Sequence, residues 1–343
     1  MIPRTIALRL GASLLRIAGA LLCVALLALA AVLVLTQMPS RSFSGPLAAA
    51  TAEEQALAQR LRHHVAMVAS EEHNIRTHAA LEAAARYLEA ELTSYGYTVQ
   101  RQEFDASRQK VRNLLVTLPS QKAPGKRLLI IGAHYDSAHE TPGANDNGTG
   151  TAAVLELARS LKDLGETATS DVMFALYTNE EPPYFKTRLM GSRVHAEALK
   201  AANAPVQAML SLETMGYFSD EAGSQKYPWP LNRIYPAQGD FIAFVGTAAD
   251  LGLVRKSVKS FRTHASFPSE GIAAPRFVPG VDYSDHAPFI DEGYPALMVT
   301  DTAPYRYPHY HTRQDTPDKV DYERLARVVR GLEGVVRDLA TQP

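Results

Sequence analysis

Leu128-Leu129-Ile130-Ile131-Gly132-Ala133-His134-Tyr135-Asp136-Ser137 is the stretch whose reading decides the fold. An aliphatic run without polar alternation is what a strand covered on both faces requires, as in a parallel sheet between helices. The run ends in an imidazole and a carboxylate. Ligands of open α/β sheets bind beyond the carboxyl ends of the strands, so His134 and Asp136 fall where a site belongs. The flanking segments fit the same plan. Thr149 to Leu164 reads as a helix, Val172 to Tyr177 as a buried strand, Ser192 to Ala202 as a helix and Ala208 to Leu212 as a strand. Glu180 and Glu181 follow the Val172 strand, and Glu213 follows the Ala208 strand.

Farther out, Leu57, Leu61, Val65 and Val68 share one helical face. Leu81, Ala85, Leu88 and Leu92 share another, with Gly96 as a stop signal. Tyr97 to Phe104 and Val111 to Leu118 read as strands. Ala296 to Thr300 is a late strand, and Tyr322 to Leu339 a closing helix with Leu325, Val328, Val329, Leu332 and Val336 on one side. Strands alternating with helices predict an α/β fold: a three-layer α/β/α sandwich on a mostly parallel, mixed central sheet. Residues 217–281 are rich in Pro, Gly, Tyr and Phe and have weak periodicity. They are expected to form an insertion or lid near the site, with a helix near Ala248 to Ser260.

The chain has 343 residues, 46% hydrophobic and 21% charged, with a net charge of -1. Those values suit a globular protein with one large domain. No Lys/Arg stripe with interleaved aromatics occurs, which argues against nucleic acid as a partner. The single cysteine, Cys23, lies in the N-terminal apolar run. Any metal in the main domain must therefore be held by His, Asp and Glu.

Arg4, Arg9 and Arg16 precede an uncharged run from Ile17 to Leu35, long enough as a helix to cross a bilayer. The arginine bias predicts a cytoplasmic segment 1–16 and a transmembrane signal anchor 17–35. A linker 36–50, rich in Ser, Ala, Pro and Gly, then leads to a domain 51–343 in the periplasm or outside the cell. The alternative is secretion after cleavage, since Ala28-Leu29-Ala30 has the small-x-small form of a signal peptidase site. The apolar residues Ala31 to Leu35 beyond it favour the anchor.

Five short motifs stand at strand ends or in adjoining loops. They are Gly132-Ala133-His134-Tyr135-Asp136-Ser137; Gly143-Ala144-Asn145-Asp146-Asn147-Gly148; Asn179-Glu180-Glu181; Leu212-Glu213-Thr214-Met215-Gly216; and Tyr310-His311-Thr312 followed by Asp315-Thr316. Singly, most have an ordinary reading: a satisfied histidine, a solvated acidic turn, an Asx turn around Asp146. Glu213 is harder to dismiss, because a carboxylate ending an apolar strand needs a partner. Taken in order over residues 75–340, the motifs resemble metallopeptidase family twenty-eight, the co-catalytic two-zinc aminopeptidases.

The resemblance implies a zinc-dependent exopeptidase, first of all an aminopeptidase, with two zinc ions and a peptide substrate. It implies that His134 and Glu213 hold one zinc, Glu181 and His311 the other, that Asp146 bridges both, and that Glu180 is the general base. Glu213 stands where the family often has Asp, which leaves its denticity open. A cis peptide at Asp146-Asn147 is implied as well. Zinc accepts imidazole nitrogen and carboxylate oxygen, and a bridging carboxylate offsets the repulsion between paired cations. Asp136 is placed to accept the free N–H of the His134 ring. Ser284-Asp285-His286, ahead of Phe289 and Gly293, is similar to an Asp-His pair in relatives and either lines the pocket or supports the site.

Three rivals share this core: a glutaminyl-peptide cyclotransferase with one zinc, a carboxypeptidase, and a binding module without catalysis. Competent side chains at the ligand and base positions argue against the last. The Asn145 to Gly150 loop and Met190-Gly191-Ser192 look more like a peptidase than a cyclase. His63, His64, His73, His78, His139, His195 and His264 are read as surface or packing groups, and His309 as pointing away from the His311 side. Tyr217, Tyr283, Tyr305 and Tyr307 either wall the pocket or pack. Nothing in the sequence signals an oligomeric state.

Overall fold

The computed structural model describes residues 4–342. It has two units, which divide after Gln37. The first is helix α1 (Arg4–Thr36). From Arg16 to Thr36 it is apolar, unburied and long enough to cross a membrane. Residues 1–3 and the side chains of residues 4–15 lie outside the described set, and with them most of the segment expected to be cytoplasmic.

The second unit opens with residues expected to be a linker, and these are instead fixed to it. Arg262 donates to the carbonyls of Pro39 (3.1 Å) and Ser40 (2.8 Å), and Arg327 donates to that of Ala48 (2.6 Å). The Ser42 hydroxyl accepts the Ser269 N–H at 2.9 Å. Guanidinium groups carry several donors, and an extended backbone supplies the acceptors.

Helix α2 (Ala52–Val68) starts at Thr51, which closes a reciprocal capping box with Glu54. It buries Leu57, Leu61, Val65 and Val68, the stripe read from the periodicity. Helix α3 (His78–Ser94) likewise buries Leu81, Ala85, Leu88 and Leu92. Beyond them the order is β1 (Gln100–Ala106), β2 (Gln109–Leu118), β3 (Leu128–His134), α4 (Thr149–Ser160), β4 (Asp171–Tyr177), α5 (Gly191–Ala201) and β5 (Val206–Glu213). Then come β6 (Ile242–Thr247), α6 (Leu251–His264), β7 (Ser269–Ala274), α7 (His286–Asp291), β8 (Ala296–Thr300), α8 (Ala303–Arg306) and α9 (Tyr322–Thr341).

Among the described residues the sheet has eight strands, ordered β1-β2-β4-β3-β5-β8-β6-β7. Its centre, β4-β3-β5-β8, is parallel. β1 and β2 join antiparallel on one side, and β6 joins antiparallel to β8 on the other. One face carries the large core under α2, α4, α6 and α9. The other packs α5 and α7 against Ile130, Tyr177 and Met209, with Phe289 of α7 among them. This is the mixed three-layer sandwich that the alternation predicts.

The segment 217–281 differs from expectation. It contains the expected helix, as α6, but also β6 and β7, which extend the central sheet. Residues 217–241 and 275–285 are the irregular parts; they cover the β6–β8 face beyond the reach of α5 and α7. β1 also begins later than read, at Gln100, because Tyr97 and Val99 pack on the core from the turn after Gly96.

Candidate metal centre

The parallel strands deliver their last residues to one edge of the sheet. His134 closes β3 and Glu213 closes β5. Glu180 and Glu181 lie in the turn after β4, Asp146 in the turn at residues 144–148 that leads into α4, and His311 in the loop between α8 and α9. His134 Nε2 lies 3.3 Å from Glu213 Oε2 and 3.4 Å from Asp146 Oδ1. His311 Nε2 lies 3.0 Å from Asp146 Oδ2 and 3.3 Å from Glu181 Oε1. Three donor sets result, His134–Asp146–Glu213, Asp146–Glu181–His311 and His134–Glu180–Glu181, each with its ligand atoms within 4.8 Å of one another. Asp146 belongs to the first two. Glu180 is drawn in beside them, its Oε2 3.9 Å from His134 Nε2.

His134 Nε2, both Asp146 oxygens and Glu181 Oε1 are buried, with no hydrogen-bond partner among the described residues. Native buried polar atoms are nearly always paired. They belong to the donor sets above, and their chemistry is that of a zinc site. The electrostatics agree. Burial, and then repulsion from Asp146, pushes Glu213 up to about 8 and Glu181 up to about 7. Burial and the charges of Glu181, Glu213 and Asp285 raise Glu180 well above the usual carboxylate range, with His134 opposing. Burial works against ionised Asp146 too, yet His134 and His311 flank it and hold it below that range. Burial also opposes charge on His311, but Asp146 and Glu181 lift it to about 11. Such a set is buried at neutral pH only with protons or cations between its oxygens.

The surroundings explain how the donors are held. Asp315 accepts the N–H groups of Asn145 (2.8 Å) and Asp146 (3.1 Å), and Asp301 accepts from the Asn145 amide at 3.0 Å. Asn147 donates to the Leu212 carbonyl and accepts from the N–H groups of Gly150 and Thr214, tying the Asp146 loop to the end of β5. A Cβ at Gly150 would lie 2.3 Å from the Leu212 carbonyl oxygen, so only glycine fits there. The Asp146-Asn147 peptide is cis. Ser284 donates to Glu213 Oε2 at 2.6 Å and shares a hydrogen bond with Ser211. Asp285 is fully buried, and neither of its oxygens has a hydrogen-bond partner among the described residues. Burial raises it to about 6. His286 is buried and turned to the Val281 carbonyl, 2.8 Å away. Tyr310 stacks on the His311 ring at 3.9 Å.

Asp136 departs from its expected contact. The His134 Nδ1 partner at 3.0 Å is the Asp136 backbone carbonyl, while its carboxylate oxygen stands 3.6 Å off. The carboxylate instead accepts the N–H groups of Glu180 (3.0 Å) and Glu181 (3.2 Å). After β4 those two N–H groups leave the ladder and need an acceptor, which Asp136 supplies. Asp301, Asp315 and Tyr310 carry no role in the sequence reading, and Ser284 enters it only as part of the Ser284-Asp285-His286 motif. Asp315, Ser284 and Tyr310 sit inside quoted motifs; Asp301, directly after β8, had the strand-end signal that singled out Glu213.

Beside Glu213 and Tyr310 opens a cavity of about 100 Å³ with mainly apolar walls, including Tyr283 and Tyr305. Tyr217 and Tyr307 pack on each other instead, 4.8 Å between centroids, and Tyr307 donates to Asp315.

Fold and donor set together define a zinc hydrolase built on an α/β/α sandwich. A family model, peptidase family M28, matches residues 113–336, and the chain belongs to that family. The uncharacterized protein YfbL of Escherichia coli K12 is 38% identical over 261 residues, 74% of this chain and 78% of its own. A probable leucine aminopeptidase of Arthroderma otae is 27% identical over 243 residues, which is 66% of this chain and 56% of the fungal one. The chain thus spans little more than half the length of that relative. Among solved structures, the LapA aminopeptidase of Legionella pneumophila matches with a TM-score of 0.64 at 19% identity, over 87% of this chain and 78% of that one. A glutaminyl cyclase of Fimbriiglobus ruber matches with a TM-score of 0.61 at 21% identity, over 90% and 100%. Both are likenesses of fold.

Proposed function

We propose that the chain is an aminopeptidase that holds two zinc ions across Asp146 and removes the first residue of a peptide. The observation that carries this reading is that two of the donor sets share one carboxylate, Asp146, with Glu180 alongside. In it His134 and Glu213 hold one ion, Glu181 and His311 the other. Asp136 and Asn147 fix the turns that present them; Asp285 and His286 line the wall behind. The names of the fungal relatives support the choice of a peptide N-terminus.

Zinc, when bound, supplies Lewis acidity and acidifies water at the site. The chain's own groups do the rest. Glu180 is 6% exposed and held basic by burial and by neighbouring carboxylates. It accepts a proton from the attacking water and hands it to the departing amine. The cavity beside Glu213 receives the side chain of the residue being released, and the irregular stretches on either side of β6–β7 roof it.

In this reading residues 17–35 anchor the chain in a membrane, with 1–16 in the cytoplasm and the domain 51–343 outside. N-terminal sequencing of the mature protein separates the anchor from a cleaved signal.

The deciding experiment combines metal content with a panel of amino-acid p-nitroanilides and N- or C-blocked peptides. Expected are about two zincs per chain and free amino acids from peptides with an open N-terminus. One zinc with a cyclised product would instead make it a glutaminyl cyclase, and cleavage of N-blocked peptides a carboxypeptidase. Glu180→Gln is expected to keep its zinc and lose about 10²–10⁴-fold in kcat. Activity within a few-fold of wild type removes Glu180 from the role of base.

A further inference from the structure

Strand register carries the cavity a defined distance from the metal centre. Glu213 of β5 pairs with Thr300 of β8, Thr300 with Ala243 of β6, and Ala243 with Glu270 of β7. These four residues form one row across the sheet, and all four line the cavity or its mouth. Residues paired in a row point to the same face. Three strand spacings separate the ends of the row, about 14 Å at 4.8 Å each. One end is a carboxylate of the proposed zinc site. The other is the lone carboxylate Glu270, set among apolar floor residues such as Val245, Ile272 and Met298.

Glu270 is not tied down. It accepts no hydrogen bond among the described residues, and its nearest cation, Arg262, stands 3.9 Å off. Arg262 spends four of its five N–H donors on Ser269 and on the carbonyls of Pro39 and Ser40, which leaves one on Nη2 near Glu270. Tyr235, which could have capped Glu270, gives its hydroxyl to the Gly271 carbonyl. With only this long contact to Arg262 and no hydrogen bond, Glu270 keeps acceptor capacity for a further cation at the end of the apolar trough.

We infer that this trough selects an N-terminal arginine or lysine, whose aliphatic stem lies on Met298 and Val245 while its cation meets Glu270. The inference rests on the aminopeptidase reading. Charge makes the selection: lysine and arginine carry a cation at the end of an apolar stem, whereas leucine and methionine bring none to Glu270. The stem suits apolar walls, and the flanking tyrosine faces suit a cation.

The test uses the full chain, loaded with zinc, and p-nitroanilides of arginine, lysine and norleucine, the last having lysine's chain without its charge. Expected is a kcat/KM for the basic substrates about tenfold or more above norleucine. Glu270→Gln should lower the arginine-to-norleucine ratio by about tenfold, to near one. Equal rates for norleucine and arginine in wild type overturn the inference. So does a ratio unchanged by the substitution. Calorimetry with argininamide and norleucinamide separates the two readings. Glu270-dependent binding of argininamide without hydrolysis of any substrate keeps the trough and removes the aminopeptidase. No hydrolysis and no preference in binding removes both.

Discussion

Asp136 shows how one carboxylate can set two others. Its oxygens take the N–H groups of Glu180 and Glu181, one each, so the turn after β4 presents both glutamates to the same point. An asparagine keeps the size and one acceptor oxygen, but sets an NH₂ against the second N–H. Asp136→Asn should therefore shift the pair without emptying the site. The expected result is a kcat lower by about 10–100-fold with zinc content largely kept. A stability loss of about 1–3 kcal/mol should show in thermal melting. A kcat within threefold of wild type would mean that the two N–H groups do not need this acceptor. The contact expected from sequence, Asp136 carboxylate to His134 ring, follows from spacing alone. The chain meets it with the backbone carbonyl of the same residue, which frees the side chain for the glutamate turn.

At the scale of elements, glycine marks where helices and strands come closest. A Cβ at Gly331 of α9 would lie 2.4 Å from Phe261 Cε2 on α6, and one at Gly334 would lie 2.3 Å from His264 Cγ. The two helices cross on that notch. Gly331→Val should cost about 1–3 kcal/mol by overpacking, read as a lower melting temperature with kcat/KM unaffected at the distant site. An unchanged melting temperature would show that the helices part without penalty. The same effect explains what the sequence hid. Gly246 in β6 and Gly271 in β7 face Val254 and Val258 of α6, with room for no Cβ: 2.7 and 2.8 Å. Close cover by α6 puts small residues where a strand signal expects branched ones, so β6 and β7 read as irregular chain. β3, β4 and β8 lie deeper and carry continuous apolar runs; β4 and β8 were legible to within a residue at each end, while β3 runs three residues past Ile131 to His134. The proposed ligand residues were legible because each sits at a strand end or in an adjoining turn or loop, inside a short motif. Their supports were not, since Asp315 reaches Asn145 across 170 residues of chain and nothing local signals it.

At the scale of the molecule, the folded unit begins closer to the N-terminal apolar helix than composition suggests. Residues 36–50 have the Ser, Ala, Pro and Gly content of a free spacer. Yet from Met38 onward they belong to the folded unit. They give carbonyl acceptors to Arg262 and Arg327, whose side chains are 6% and 8% exposed, and Met38 and Leu47 cover apolar core. A buried guanidinium that loses its acceptors keeps the cost of its desolvation. A chain beginning at Ala50 leaves Arg262 without Pro39 and Ser40, and Arg327 without Ala48. It should be less stable than a chain beginning at Met38 by about 2–4 kcal/mol, since water reaches some of the vacated donors. Melting of the two proteins side by side reads the difference. Their zinc content should match, because no proposed ligand lies before His134. Arg262 also borders Glu270, so the shorter chain should change its arginine-to-norleucine ratio while the longer one keeps it. Equal melting temperatures would return residues 38–49 to the status of a spacer, and an equal ratio would separate Arg262 from the trough.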